Sequence, residues 1–326
     1  MSVFNKRVER RGTATIVTGK ELIQTPAGHR TVKYVELYDD TAAIAAGVTA
    51  DLIAYTVPDG HCAELYAIGV MPDFVPPATS NLLDITIAAD HKDMGLKFLC
   101  NHLGINSLPY GDRLSLQPIR MLDFPMRPGN LTPKFNEGVE IEIRATAGTN
   151  PVASTVRSRA KILLYEPQDV AQYYGATKST FATLPGGHDQ SMPTRIFTDY
   201  ALLTPATGGN SRWVDLYSLD VKDYEVIALQ SIGILPHANA DALKLYDHRQ
   251  KWEAPEYEPY FNINEACNAL PFGDDNDAQP TQKLPSVISD HTFTNTQLKV
   301  QIRDNGGVIP VNGIAVQLFG TYRRLR

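Results

Sequence analysis

An all-β chain folded in two similar halves is the reading this sequence supports, and three observations carry it. Apolar residues recur at period two from end to end, rich in Val, Ile, Leu, Tyr and Thr. Helical patterns are few and short, so the βαβ alternation of the α/β enzyme folds is missing. Short strings from the first half reappear in the same order in the second.

In chain order, the alternation predicts strands over Thr13–Thr18, Thr31–Tyr38, Leu52–Val57, Ala63–Met71, Leu82–Ala88, Val139–Ala145 and Val156–Tyr165. The later part adds Arg212–Leu219, Glu225–Leu235, Gln297–Arg303 and Ile309–Tyr322. Turn signals separate them, among them Pro58-Asp59-Gly60, Pro128-Gly129-Asn130 and Asp304-Asn305-Gly306-Gly307. Pro167–Tyr174, with Val170, Tyr173 and Tyr174 on one side, is the best helical pattern, and Asn239–Trp252 fits either period.

The repeats fix the organisation. Val35-Glu36-Leu37-Tyr38 returns as Val214-Asp215-Leu216-Tyr217, and Ala67–Pro72 (AIGVMP) as Ser231–Pro236 (SIGILP). Leu108–Asp112 (LPYGD) returns as Leu270–Asp274 (LPFGD), Ile143-Arg144 as Ile302-Arg303, and Ala160–Tyr165 loosely as Ile314–Phe319. The offsets run 179, 164, 162, 159 and about 155, the drift that loop insertions and deletions leave on a shared core. Two units of roughly 150 residues with about eight strands each predict two tandem eight-stranded jelly rolls from an internal duplication. Residues 1–11 form a basic arm, 12–166 the first jelly roll, 167–204 a helix and linker, and 205–326 the second jelly roll with a basic end. Gly69/Gly233, Gly111/Gly273 and Arg144/Arg303 are the expected landmark pairs.

Composition narrows the class. With 43% apolar residues in 326 there is material for a sizeable core, and 23 Gly with 22 Pro show no collagen period. The longest weakly polar stretch, Ala42–Tyr55, is broken by Asp51 and too short to cross a bilayer. MSVFNKRVERR passes from Met to charges without an apolar region, unlike a secretory signal. Cys62, Cys100 and Cys267 are odd in number and widely spaced, which fits synthesis in a reducing cytosol.

The net charge of −6 is unevenly placed. Lys6, Arg7, Arg10 and Arg11 stand against Glu9 alone, and Arg323, Arg324 and Arg326 against no acid, leaving about −12 on the body. An acidic body repels nucleic acid, so contact with a polyanion, lipid headgroups or an acidic neighbour falls to these seven cations.

No reaction chemistry stands out. The eight histidines (His29, His61, His91, His102, His188, His237, His248, His291) have no metal-ligand spacing and read as solvated loop residues. Asp274–Asp277 resembles a solvated acidic loop more than a Ca²⁺ loop. There is no G-x-S-x-G elbow and no phosphate-binding G-x-x-x-x-G-K-[ST] loop. Cys62 and Cys100 lie in or beside apolar segments, as core thiols do. Glu253, Glu256 and Glu258 flank Trp252, Tyr257 and Tyr260, a cluster that suits either a sugar groove or a Pro-punctuated packing loop. Catalytic residues, metal, cofactor and small-molecule substrate are all expected to be absent.

Tandem jelly rolls without enzyme motifs, with basic ends, resemble the double jelly-roll major capsid proteins, the lineage of adenovirus hexon and of tailless icosahedral phages and archaeal viruses. The resemblance is architectural and carries over no residue. It implies a virion structural protein: a homotrimer whose six jelly rolls make a pseudo-hexagonal tile, in contact with itself and other virion proteins. Phe74–Ser80, Pro118–Pro133 and Glu253–Phe261 mix Pro with large apolar residues and suit contacts between copies. Lys6, Arg7, Arg10, Arg11, Arg323, Arg324 and Arg326 would face the particle interior, toward genome nucleic acid or an internal membrane. Repeats this legible are unusual in that lineage, which favours a decoration, vertex or tail protein as one alternative. A glycan-binding or glycan-cleaving pair of jelly rolls is the other.

Overall fold

The computed structural model describes residues 7–11, 14–25, 28–72, 82–101, 122–123, 133–148, 155–166, 194–202, 213–235, 240–253, 282–283, 291–304 and 315–325. Every regular element among them is a strand, and the chain divides into two compact units. The first carries β1 (Arg7–Arg11), β2 (Ala14–Thr25), β3 (Gly28–Thr41), β4 (Thr49–Thr56), β5 (Cys62–Pro72), β6 (Leu82–Ala89), β7 (Lys92–Asn101), β8 (Leu122–Asp123), β9 (Lys134–Phe135), β10 (Glu140–Ala147) and β11 (Val156–Tyr165). The middle of β7, Lys97–Leu99, is grouped with the second unit. That unit carries β12 (Thr194–Leu202), β13 (Trp213–Val221), β14 (Glu225–Leu235), β15 (Ala240–Asp247), β16 (Trp252–Glu253), β17 (Gln282–Lys283), β18 (Thr292–Phe293), β19 (Thr296–Asp304) and β20 (Ala315–Arg324).

In the first unit one sheet runs β1-β2-β3-β11-β5-β8, with β9 also on β5, and the other runs β7-β6-β10-β4. In the second the sheets run β12-β20-β14-β17, with β18 also on β14, and β13-β19-β15-β16. Counting from β3 and from β12, and setting aside the short β9 and β18, each unit pairs its strands first-eighth-third-sixth and second-seventh-fourth-fifth. That order is a jelly roll. In the first unit β1 and β2 extend the sheet beyond it.

Alternation builds these sheets, because one face of each must leave water. Leu83, Ile85 and Ile87 of β6, Ile141, Ile143 and Ala145 of β10, and Val156, Ala160 and Ile162 of β11 are buried at every second position. Leu216, Leu229, Leu245, Leu298, Val300, Ile302, Val316 and Leu318 form the core of the second unit. Each such side chain contributes about 1.5–3 kcal/mol by leaving water. Gly19 sits opposite Tyr34, whose ring lies where a Cβ would be, so an aromatic covers the gap in the sheet.

Several expectations change in detail. Asn239–Trp252 is no helix: Ala240–Asp247 pairs along β19, with Leu245 opposite Val300, and the chain turns through Lys251 at φ 50°. Pro167–Tyr174 lies outside the described residues. β12 falls inside the stretch expected to be linker and supplies the first strand of the second jelly roll. β1 was unexpected because RVERR has a single apolar residue, and β7 because charges and Gly95 interrupt Met94, Leu96 and Phe98.

The repeat needs a new register. Val35–Tyr38 lies in the first strand of the first roll, whereas Val214–Tyr217 lies in the second strand of the second, so that match is generic strand composition. Residues 50–72 instead correspond to 214–236 without a gap, pairing Asp51/Asp215, Leu52/Leu216, Val57/Val221, Asp59/Asp223, Leu65/Leu229, Ile68/Ile232, Gly69/Gly233 and Pro72/Pro236. Bulges fall at equivalent places, at Leu52 and Leu216 and again at Tyr66 and Gln230. Arg144 opposes Asp51 as Gln301 opposes Asp215, so the counterpart of Arg144 is Gln301 and not Arg303. Ala160 opposes Ile68 as Leu318 opposes Ile232, which moves the last match by four residues. Gly111 and Gly273 lie outside the described residues. A shared strand order is what any two jelly rolls have; duplication of one ancestral unit remains the proposal that accounts for the shared bulges and residues.

Candidate functional site

The seven expected cations divide between the units. Arg7, Arg10 and Arg11 lie in β1, a paired strand and not a loose arm, in register with Thr18, Thr15 and Ala14 of β2. Arg323 and Arg324 are exposed at the end of β20, opposite Val226 and Glu225 of β14. Lys6 and Arg326 lie outside the described residues.

Around Arg323 and Arg324 the second unit gathers cations that sequence spacing does not reveal. The turn after β13 (Lys222, Asp223, Tyr224), the turn after β15 (His248 to Lys251) and the bend at Asn295 are stitched together. Asn295 N donates to Lys222 O at 3.1 Å, Arg249 Nη1 to Asn295 O at 3.4 Å, and His248 N to Gln297 O at 3.1 Å. Leu325 N donates to Tyr224 O at 2.7 Å, tying the end of β20 to the same place. Lys222, Arg249, Lys251, Arg323 and Arg324 are all exposed, and none of them forms an ion pair with a carboxylate among the described residues. Glu225 spends its oxygens on neutral donors, Lys222 N at 3.0 Å and Tyr322 Oη at 3.1 Å. The Arg324 guanidinium lies 5.3 Å from the centre of the Tyr224 ring.

The tight turn between β6 and β7 holds the cluster nearest to a metal site. Asp90 and His91 both take positive φ, 46° and 66°, as the right-handed twist of a two-residue hairpin requires. His91 N donates to Glu142 Oε2 at 2.9 Å, and its Nδ1 stands 2.6 Å from Glu142 Oε1 and 3.0 Å from Arg144 Nη2. His91 is exposed in its turn, as expected of a solvated loop histidine, and is also anchored there by Glu142. Ligand atoms of His91, Glu140 and Glu142 lie within 4.8 Å of one another. Arg144 Nη2 already stands 3.0 Å from Glu142 Oε2, with its Nε on Asp51 at 3.0 Å. The guanidinium already stands against Glu142 where a cation would bind, so the cluster reads as a structural staple. Asp274–Asp277 lies outside the described residues.

Buried polar groups are paired for structure. Lys134 is 1% exposed and sits opposite Glu64, itself 4% exposed, which accepts from Tyr165 Oη at 2.9 Å. Burial holds the Lys134 ammonium below its usual range, against the pull of Glu64. Burial would likewise raise Asp247, but Thr296 Oγ1 at 2.6 Å, Gln250 N at 3.1 Å and His291 Nε2 at 3.0 Å bring it below the usual carboxylate value. The Cys62 thiol is pushed up by burial and by Glu137, as suits a core thiol and not a nucleophile. Cys100 lies in β7, where its side chain is outside the described set, and Cys267 lies beyond the described residues.

An open groove of about 720 Å³ runs along the first unit where β2 overhangs β4, floored by Ile16, Val35, Leu37 and Ile53. Tyr55, pushed up to about 12 by burial, and Asp39 and Asp59 also line it. Asp39 Oδ1 accepts from Asp40 N at 2.8 Å. Of the expected aromatic-acidic cluster only Trp252 and Glu253 are described, as β16.

No family model matches the chain, and no curated protein matches it. Solved structures do. A protein of Sulfolobus Turreted Icosahedral Virus is similar over 89% of this chain and 91% of its own, at 10% identity and a TM-score of 0.38. An archaeal virus protein described by its triple jelly-roll fold and turret assembly covers 98% of this chain and 75% of its own, at 8% identity and a TM-score of 0.20. VP2 of infectious bursal disease virus, from a subviral particle, covers 99% and 75% at 8% identity and a TM-score of 0.20. At these scores the assignment stands on strand order, and that order makes this chain two jelly rolls in tandem, a fold that viral capsid, lectin and cupin domains share.

Proposed function

We propose that this chain is a virion structural protein, a major capsid protein that forms homotrimers whose six jelly rolls pack as a pseudo-hexagonal tile. The observation that carries this reading is two complete jelly rolls with the same strand order in one chain. Three such chains supply six barrels of similar outline, which is what a hexagonal lattice position needs. The role asks for self-association and for contacts with other virion proteins, and for no catalysis. The protein is made in the host cytoplasm and resides in the virion. Lys6, Arg7, Arg10, Arg11, Arg323, Arg324 and Arg326 face the particle interior in this reading, where a polyanion, anionic headgroups or an acidic neighbour screens their mutual repulsion.

Electron microscopy with light scattering tests the assembly. Trimeric tiles or shells are the expected result; a monomer at micromolar concentration in every buffer overturns the reading. Replacing the seven basic residues by Gln should leave both units folded. Particle assembly or cargo retention should fall instead, and normal assembly around cargo would return these charges to the status of solvated ends.

A further inference from the structure

We propose that the cationic end of the second unit is a docking surface for lipid bilayers with anionic headgroups. It deepens the reading of Arg323 and Arg324 as interior-facing contacts, and adds Lys222, Arg249 and Lys251, which come to the same end from two separate turns.

Two independent observations carry it. The first is charge: five exposed cations without carboxylate ion pairs among the described residues outnumber the acids of the same turns, the exposed Asp220 and Asp223 and the half-buried Glu225, on a chain whose net charge is −6. A cationic face retained on an acidic protein attracts anionic surfaces from about a Debye length away, ~8 Å at physiological salt. The second is apolar exposure. Only four large apolar side chains among the described residues are strongly exposed, and Tyr224 (44%) and Leu325 (39%) are two of them. They are held side by side by the Leu325 N–Tyr224 O bond, in the midst of the cations. Phosphates of a nucleic acid would be served by the cations alone. A Tyr with a Leu among Lys and Arg is the composition that seats at a headgroup boundary, the rings and methyls below and the charges at the phosphates. Arg324, stacked on Tyr224, would reach the headgroup layer with its stem lying on the ring.

The test uses the unassembled full chain, so its outcome is separate from tile formation by microscopy, and either reading can fail alone. Binding is measured by flotation with vesicles of phosphatidylcholine alone and with about a third phosphatidylglycerol added, and in parallel with a double-stranded DNA fragment. The anionic vesicles should bind and the neutral ones should not, with binding weakening as salt rises. Each Lys or Arg at a surface changes partition by roughly fivefold. The variant K222Q/R249Q/K251Q should therefore lose on the order of a hundredfold, while K20Q/K92Q, which removes exposed cations elsewhere, should lose nothing. Circular dichroism confirms that each variant is folded. Y224S/L325S should weaken vesicle binding with charge unchanged and leave DNA untouched. Equal binding to neutral vesicles, an unaffected triple variant, or no binding to anionic vesicles overturns the proposal. So does DNA binding with the same charge dependence together with a silent Y224S/L325S, which would make nucleic acid the partner.

Discussion

Replacing Lys134 by Met should unfold the first unit early and leave the second alone. Lys134 and Glu64 face each other across β9 and β5 and are almost wholly buried, so the change removes the ammonium opposite a buried carboxylate that also accepts from the Tyr165 hydroxyl. Breaking a buried pair from one side costs about 3–5 kcal/mol, whereas an apolar replacement of both partners is often neutral. With a urea slope of about 2 kcal/mol/M, the single change moves the midpoint down by ~1.5–2.5 M. K134M combined with E64L should recover most of it. The assay exploits an accident of composition: both tryptophans, Trp213 and Trp252, lie in the second unit. Indole fluorescence therefore reports the second unit, and far-ultraviolet circular dichroism reports both. The dichroism should show an early transition absent from the fluorescence. The pH dependence has a fixed sign. Because burial lowers the Lys134 pKa in the folded state, the unfolded chain binds more protons between that value and 10.5, and the stability of the first unit rises with pH across this window. In K134M that rise disappears. A double variant no more stable than the single one, or a shift seen equally in fluorescence, would refute the reasoning.

Other expectations are shorter to state. At Gly320 an added Cβ would lie against the Ala228 carbonyl oxygen at the β14 bulge, so Gly320→Ala should cost the second unit about 1–3 kcal/mol, read from tryptophan fluorescence in urea. Asp247 titrates below 3.8 in the folded state, so its contribution is complete above that value and lost as pH falls through the folded pKa. Asp247→Asn should lower the stability of the second unit at neutral pH and flatten its acid limb in a pH series of melts. Glu142→Gln weakens its contacts with Arg144 and the His91 ring, and should cost the first unit about 1–3 kcal/mol by dichroism-detected unfolding.

The strands of the two cores were largely legible because burying one sheet face forces period two, and Val156–Tyr165 and Glu225–Leu235 coincide with β11 and β14. The two-part organisation was legible too, but the correspondence between the two halves was not. A four-residue string of Val, Leu and Tyr fits almost any strand, so Val35–Tyr38 masked the longer gap-free match that begins at Ala50. Pairing settles it, because the bulges at Leu52 and Leu216 mark the same step of the same strand.

The amino-acid sequence by itself determined the fold class, the two-part organisation and the excess of positive charge at both ends, since each depends on composition, period or order along the chain. Only the tertiary structure decided which cations act together. Lys222, Arg249 and Arg323 are far apart in sequence, and they share one end of the second unit because jelly-roll strands return to it through turns that backbone hydrogen bonds tie to one another. It also decided that His91 is held by Glu142 beside Arg144, a grouping made by pairing β6 and β4 on either side of β10. Strand pairing joins residues by register, and register is a long-range property that no local pattern contains.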